Sequence, residues 1–367
     1  MSEQIREITA EHREAIANLA KRSFPANQAR FVVPGEAGGY AIMVDDQVVA
    51  AVLLRIIHLP RGHKIGFIAW LMTHPDHRGR GWAGQLVDAG TQRLREAGCS
   101  DVVTDVEGYN TGSANVFYRA GYRRMSVRQQ IRRWHLVDTI WLWIKTGLAV
   151  DPGHFLWVMD APVEEHSLWR GRSAAMVGNT ALVLCAFSLG GGLFLSRPAA
   201  FPSPSAVLGF FVGVCLLLAA REAGLRWMGW RNQSALEYRP WIGGWGVSLL
   251  IAVGFGNTFA LPGNMYPCGD GWSTRKYRRM LGRGAIISTL LVAGLILVGS
   301  LMRDAALHPV FNYTGTALLF VGKPLLIFDT LIAVPPFEGF NSRHLRDYHW
   351  FVWGAASALS LVIYFGL

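Results

Sequence analysis

The pattern of apolar and polar positions divides the chain in two. Up to about Trp134, apolar residues alternate with polar ones or recur at helical spacing, and charges of both signs are frequent. Beyond Ala174, long apolar runs are separated by short basic loops. In the first part the pattern predicts strands over Ile5–Ile8, Tyr40–Val44, Val48–Ile57, Ile65–Thr73, Asp101–Val106 and Tyr122–Ile131. It predicts helices over Ala10–Arg22, Gly81–Ala97 and Thr111–Arg119, with a turn at Asp45-Asp46-Gln47. Interleaved strands and helices of this kind give an α+β or α/β mixed-sheet domain, expected over residues 1–135.

The second part predicts an all-α, multi-pass membrane domain over residues 173–367. Its expected spans are Ser173–Leu195, Ala206–Ala220, Gly284–Met302, Phe311–Val334 and Trp350–Leu367. Between the two parts, residues 136–172 are expected to form a linker. Its apolar stretch Leu136–Val150 is too short to span and carries Asp138 and Lys145, so it is expected to lie as a helix in the membrane interface. Basic residues set the expected topology. Arg170 and Arg172 precede the first span, Arg221 to Arg239 follow the second, and five basic residues crowd Arg275–Arg283. Both ends of the glycine-rich stretch 241–262 are then cytoplasmic. That stretch is expected to be a re-entrant hairpin, and the C-terminus to lie outside after five true spans.

Composition agrees with this division. Half of the residues are hydrophobic and only 16% are charged, well under the quarter usual in soluble domains. The net charge of +10 is expected to serve membrane topology and contact with anionic membrane lipid, and not a nucleic-acid partner. Cys99, Cys185, Cys215 and Cys268 form no CxxC pair, so neither a disulfide framework nor a zinc ribbon is predicted. The polar amphipathic N-terminus has no signal-peptide core, which places the first domain in the cytoplasm as an expectation.

The chemistry is expected at one junction, where the strand IGFIAWLMT runs into HPDHRGRGWAGQL. The segment Arg78-Gly79-Arg80-Gly81-Trp82-Ala83 lies where strand becomes helix. Its glycines let backbone approach a ligand, and N–H groups of the first helical turn face outward toward an anion. Arg78 and Arg80 add fixed positive charge. Together these features make a pyrophosphate cradle. A Walker loop would need Gly-Lys-Ser/Thr, and a dinucleotide fingerprint would need three glycines and a later acidic residue.

The string Leu71 to Leu86 resembles the acetyl-CoA signature of the GNAT N-acetyltransferase superfamily, with Arg78, Gly81 and Ala83 at its signature positions. The later string Asn110 to Tyr122 resembles the family's second landmark, and the resemblance covers residues 1–133. It implies acetyl-CoA as the acyl donor. Backbone groups of Leu71, Met72 and Thr73 would hold the pantetheine arm, amides of Arg78 to Ala83 the pyrophosphate, and Asn110 and Ser113 would lie near the thioester. The family's tyrosine, often the acid that protonates the departing thiolate, falls on Phe117, and the hydroxyl comes one residue later at Tyr118. One residue turns a helical side chain by about 100°, so Tyr118 is either that acid or ordinary packing. An amine acceptor must also lose a proton. Glu107, just past the strand Asp101–Val106, is the favoured base, with Asp105 and His74 as alternatives.

The membrane part resembles site-2 proteases in order and spacing. Arg221-Glu222-Ala223-Gly224-Leu225 stands where that family has His-Glu-x-x-His, and Pro335-Pro336-Phe337-Glu338-Gly339 stands where it has Pro-Pro-x-Asp-Gly. The resemblance implies a degenerate relative that binds no metal, because neither Arg221 nor Leu225 can ligate zinc. Arg221, Glu222 and Glu338 are expected to form an ion-pair network instead. The sequence thus predicts a membrane-bound enzyme that acetylates an amine at the cytoplasmic face, the acceptor being a lipid, a membrane peptide or protein, or a small amine. The alternative is an acetyl-CoA-sensing pseudoenzyme that binds a membrane partner.

Overall fold

The computed structural model describes residues 4–33, 38–149, 153–162, 168–189, 202–258, 261–268, 273–304, 308–334 and 337–367. Two compact units emerge. The first comprises residues 1–148 and 154–164; the second comprises 149–153 and 165–367.

The first unit is a seven-stranded sheet with helices against it. Its strands are β1 Gln4–Glu7, β2 Gly39–Val44, β3 Gln47–His58, β4 Lys64–Thr73, β5 Asp101–Glu107, β6 Tyr122–Arg124 and β7 His154–Met159. Their spatial order is β1-β2-β3-β4-β5-β7-β6. Only the β4–β5 pair is parallel. The β2–β3 hairpin closes on Val44 opposite Gln47, leaving Asp45 and Asp46 as a two-residue loop with φ of 48° and 59°. Two positive φ values in that loop give it the primed-turn twist that suits a hairpin.

The helices of this unit are α1 Arg13–Ser23, α2 Ala26–Ala29, α3 Trp82–Glu96, α4 Thr111–Arg119 and α5 Val127–Thr146. In α3, Trp82, Leu86, Val87, Gly90 and Leu94 recur at helical spacing and are buried. They pack with Val52, Leu54, Ile68, Val102, Val106 and Phe117 on one face of the sheet. On the other face, Ile16, Leu19 and Ala20 of α1 pack with Ala41, Ala51, Leu53 and Met72.

The carboxy-terminal edge of this unit departs from expectation. The strand expected over Tyr122–Ile131 stops at Arg124, and Ser126 caps α5 by accepting from Gln129 N at 3.4 Å. Residue 135, the expected domain end, falls inside α5, where His135 breaks the helical geometry (φ 64°). The helix expected from Leu136 begins at this break, but it belongs to the first unit. Asp138 is buried and accepts the Arg61 amide at 3.2 Å, while Trp134 Nε1 donates to Asp101 Oδ2 at 2.8 Å. Leu136, Val137, Ile140, Trp141 and Ile144 line its exposed side. Residues 154–159, expected as linker, form β7, which inserts between β5 and β6. The linker expectation fails because the run His154–Met159 is too short to signal more than an apolar stretch, whereas its pairing partners are distant in sequence.

The second unit is helical: α6 Leu168–Leu189, α7 Pro204–Arg231, α8 Ile242–Phe255, α9 Thr274–Asp304, α10 Pro309–Thr330, α11 Asn341–Tyr348 and α12 Trp350–Gly366. Helices α7, α9 and α10 are long and apolar enough to cross a membrane; the apolar stretches of α6, α8 and α12 are shorter. Residues 190–195 of the first expected span, and Pro335-Pro336, lie outside the described residues. Close backbone approach joins the long helices. A Cβ on Gly224 of α7 would stand 2.2 Å from the Gly284 carbonyl of α9, so no larger residue fits there.

One small hairpin interrupts the helices, with β8 Leu236–Pro240 paired antiparallel to β9 Gly263–Pro267. It brings the two ends of the 241–262 stretch together, and Trp241 N donates to Pro262 O at 3.3 Å. The chain therefore leaves and returns at one place. Helix α8, with 14 residues, rises about 21 Å, short of a roughly 30 Å apolar core.

The expected Arg221–Glu222–Glu338 network takes another form. Arg221 of α7 is buried and pairs with Asp329 of α10, Nε to Oδ2 at 2.7 Å and Nη2 to Oδ1 at 2.9 Å. It also donates to the carbonyls of Leu261 and Gly263. Glu222 instead pairs with Arg226 one turn along, at 3.0 Å. The side chain of Glu338 lies outside the described residues. Arg221 and Asp329 stand 108 residues apart in the sequence and meet only through the packing of α7 and α10.

Candidate active site

Strands β4 and β5 pair only from Ile65 opposite Asp101 to Ile68 opposite Thr104. The Thr104 hydroxyl donates to the Ile68 carbonyl at 3.0 Å and closes the last rung. Beyond it, β4 shifts register against β3, so that Leu53 faces Trp70 while Leu54 faces Ile68. The extra residue, Ala69, is a bulge, which bends a strand and increases its twist. From there β4 stays with β3 as far as Thr73, while β5 continues to Glu107 paired only with β7 on its other edge. A wedge opens between the two parallel strands, and the backbone of Leu71, Met72 and Thr73 forms one side of it.

At the mouth of the wedge the chain enters α3. Gly79 and Gly81 have φ of 84° and 81°, and Gly81 is the N-cap of the helix. This left-handed backbone is the reason for glycine at both positions. A Cβ on either would meet nothing within 4 Å, so the loop presents open backbone. The first-turn N–H groups of α3, including those of Trp82 and Ala83, have no intrahelical acceptors and carry the positive end of the helix dipole. Trp82 is buried and anchors the turn, with the Arg80 guanidinium 5.2 Å above its ring and the His77 ring stacked at 5.6 Å. Arg78 is exposed, and its Nε donates to the Thr73 carbonyl at 3.4 Å. The expected cradle residues therefore come together. His74, the alternative base, is held by Arg22 at 3.1 Å.

Side chains alternate along β5. Val102 and Val106 enter the core beside α3, so Asp105 and Glu107 point to the opposite face. Glu107 Oε1 accepts the Tyr109 amide at 3.0 Å. Its cross-strand neighbour is His154 of β7, whose Nδ1 lies 2.9 Å from Asp105 Oδ2. His154 is partly exposed and Asp105 is mostly covered. Two carboxylates and an imidazole thus gather on the face beside the wedge. Sequence reasoning missed His154, because only the pairing of β7 with β5 brings it there.

The remaining expected residues are placed as follows. Asn110 caps α4, its Oδ1 accepting from Ser113 N at 3.1 Å. Phe117 lies in the core, edge-on to Tyr122 at 5.2 Å. The Tyr118 ring is exposed under the Arg123 guanidinium, 3.9 Å away, which accounts for it as surface packing. Tyr122 is buried and bonded to the Thr91 hydroxyl at 2.6 Å, and burial pushes its phenol above the usual range. It stays neutral and structural. Among the described residues, no three or more His, Cys, Asp or Glu side chains gather as metal ligands.

Residues 4–122 match the acetyltransferase (GNAT) family. The amino-terminal unit carries a GNAT acetyltransferase domain. Among similar solved structures are the aminoglycoside N-acetyltransferase AAC(6')-Iy with a bisubstrate analogue, at 20% identity and a TM-score of 0.30 over 34% of this chain and 94% of that one. Ribosomal-protein-alanine N-acetyltransferase from Brucella melitensis is similar at 20% identity and a TM-score of 0.28, over 32% and 90%. Arabidopsis thaliana NAA60 in complex with acetyl-CoA is similar at 17% identity and a TM-score of 0.30, over 34% and 88%. A comparison with curated proteins finds no match.

Proposed function

We propose that this protein is a membrane-bound N-acetyltransferase that uses acetyl-CoA to acetylate an amine at the cytoplasmic membrane face. The observation that carries the reading is the cradle at Gly79–Gly81 standing at the mouth of the β4–β5 wedge. The pyrophosphate of acetyl-CoA would sit on the first-turn amides of α3, with Arg78 and Arg80 beside it. The pantetheine arm would run along Leu71–Thr73, bringing the thioester past the last β4–β5 rung. The acceptor amine would come from the Asp105–Glu107 face. Its nitrogen attacks the acetyl carbonyl carbon, the C–S bond breaks, and the CoA thiolate leaves and takes up a proton. The proton lost from the amine passes to a base on that face. Glu107 remains a candidate for that base. His154 joins it, because its imidazole lies 2.9 Å from Asp105 on the same face.

Membrane residence is supported by the three long apolar helices. It is supported further by the outward-facing Leu208, Phe211, Leu290, Leu301 and Phe311 on them, and by the exposed apolar side of α5. The out-and-back path of 241–262 favours the re-entrant reading, with residues 264–283 cytoplasmic. The kinship of the helical unit with site-2 proteases belongs to the same proposal. A buried Arg221–Asp329 pair is what a lost metal site would need to remain filled.

Incubating the detergent-solubilised full chain with labelled acetyl-CoA and membrane extract tests the reading. Label is expected to move to an extract component, with release of free CoA thiol. Binding of acetyl-CoA without any turnover across extracts and amines would instead favour the sensing pseudoenzyme, which Phe117 in the usual tyrosine position already motivates.

A further inference from the structure

Within the second unit, the start of α9 and the helix α11 enclose a cavity of about 310 Å³ lined by Thr274, Arg275, Arg278, His344, Arg346 and Asp347. Three arginines face one carboxylate there. That carboxylate is already engaged: Asp347 lies 3.4 Å from Arg346 Nε and 3.8 Å from Arg343 Nε. Arg346 also donates to the Ala333 carbonyl, which fixes its guanidinium. Among the described residues, no carboxylate pairs with Arg275 or Arg278, and both side chains are exposed. His344 adds no charge. Burial first, then the neighbouring Arg343 and Arg221, push its imidazole down to about 3, so it stays neutral at physiological pH. The cavity is therefore a concave site with surplus positive charge supplied by arginine forks.

We infer that this cavity binds a phosphate-bearing anion through Arg275 and Arg278. Guanidinium groups match phosphate oxygens in pairs, which a lysine-lined patch does not do. The position adjoins the apolar length of α9, so a phospholipid headgroup and a free phosphate ester share the required chemistry. Arginines serving only membrane topology need no concavity; here two of them line a half-open one of about 310 Å³.

The test uses the full chain in uncharged detergent, titrated with dioctanoyl-phosphatidylglycerol, dioctanoyl-phosphatidylcholine or inorganic phosphate and read by native mass spectrometry. One phosphatidylglycerol per chain is expected to bind saturably, and inorganic phosphate to compete with it. R275Q/R278Q is expected to weaken both by about tenfold, the loss of two charge-assisted contacts. K276Q/R279Q removes equal charge from the same helix turns without touching the cavity, and binding is expected to stay within about twofold of wild type. Because all four side chains are exposed, both variants should keep the wild-type circular dichroism spectrum and thermal melt, which report intact folding. Saturable phosphate binding with no phosphatidylglycerol binding keeps the site and assigns it to a soluble anion. Equal loss in the two variants, no loss in R275Q/R278Q, or no binding of either anion overturns the inference.

Discussion

Arg78 and Arg80 in the first unit and Arg221 in the second put the same side chain to opposite uses. Arg221 is fully engaged, with two bonds to Asp329 and two to backbone carbonyls, in a setting from which water is excluded. Arg78 and Arg80 stand exposed beside the N-terminus of α3. A saturated buried charge holds helices in register; an exposed one beside open backbone amides keeps its field for a ligand. The same division separates Asp329 from Asp105, whose imidazole partner is partly open to solvent. Function in this chain is to be sought where polar groups retain unused valence.

The largest expected effect concerns the boundary of the first unit. A chain ending at residue 135 lacks β7, leaving β5 and β6 without their common partner. It is expected to be insoluble or to unfold without a cooperative transition, whereas a chain ending at residue 164 unfolds cooperatively. Circular dichroism melts of the two distinguish them, and equal stability would show that β7 is dispensable.

Next in size is proton transfer. His154→Gln is expected to lower kcat by about 10²–10⁴-fold with acetyl-CoA affinity unchanged. Asp105→Asn should act in the same direction. If only Glu107→Gln has this effect, the base is the glutamate.

The buried pair comes third. Arg221→Met leaves Asp329 uncompensated and is expected to cost about 3–5 kcal/mol, a fall on the order of 10 °C in Tm for a unit of this size. Arg221→Met with Asp329→Leu should recover most of that loss, because the cost lies in the orphaned charge. A double variant as unstable as the single one would mean that the pair itself contributes the stability. The smallest effect is expected at Tyr118→Phe, within about twofold in kcat, against the loss typical of deleting a proton donor.

Much of this was legible in the sequence, for identifiable reasons. The Gly79–Gly81 turn was readable because its glycines, arginines and helix start are contiguous. The two ends of the 241–262 stretch meet only through the pairing of β8 with β9, which the sequence does not signal. What the sequence concealed depends on long-range pairing. His154 reaches Asp105 only through the β5–β7 ladder, and Asp329 reaches Arg221 only through the packing of α7 and α10. The apolar side of α5 was legible, while the burial of Gln130 and Asp138 rests on contacts with Trp143 and with the Arg61 amide that have no signal in the sequence.

In the proposed reading the Gly79–Gly81 turn holds acetyl-CoA. Calorimetric titration of the full chain with acetyl-CoA, wild type against Gly81→Val, tests it most directly. Valine is strained at φ 81° and puts a branched side chain where backbone must meet phosphate. Binding in wild type, weakened at least about tenfold in the variant while its far-ultraviolet spectrum is retained, is the predicted result. Equal affinity in the two proteins would contradict it.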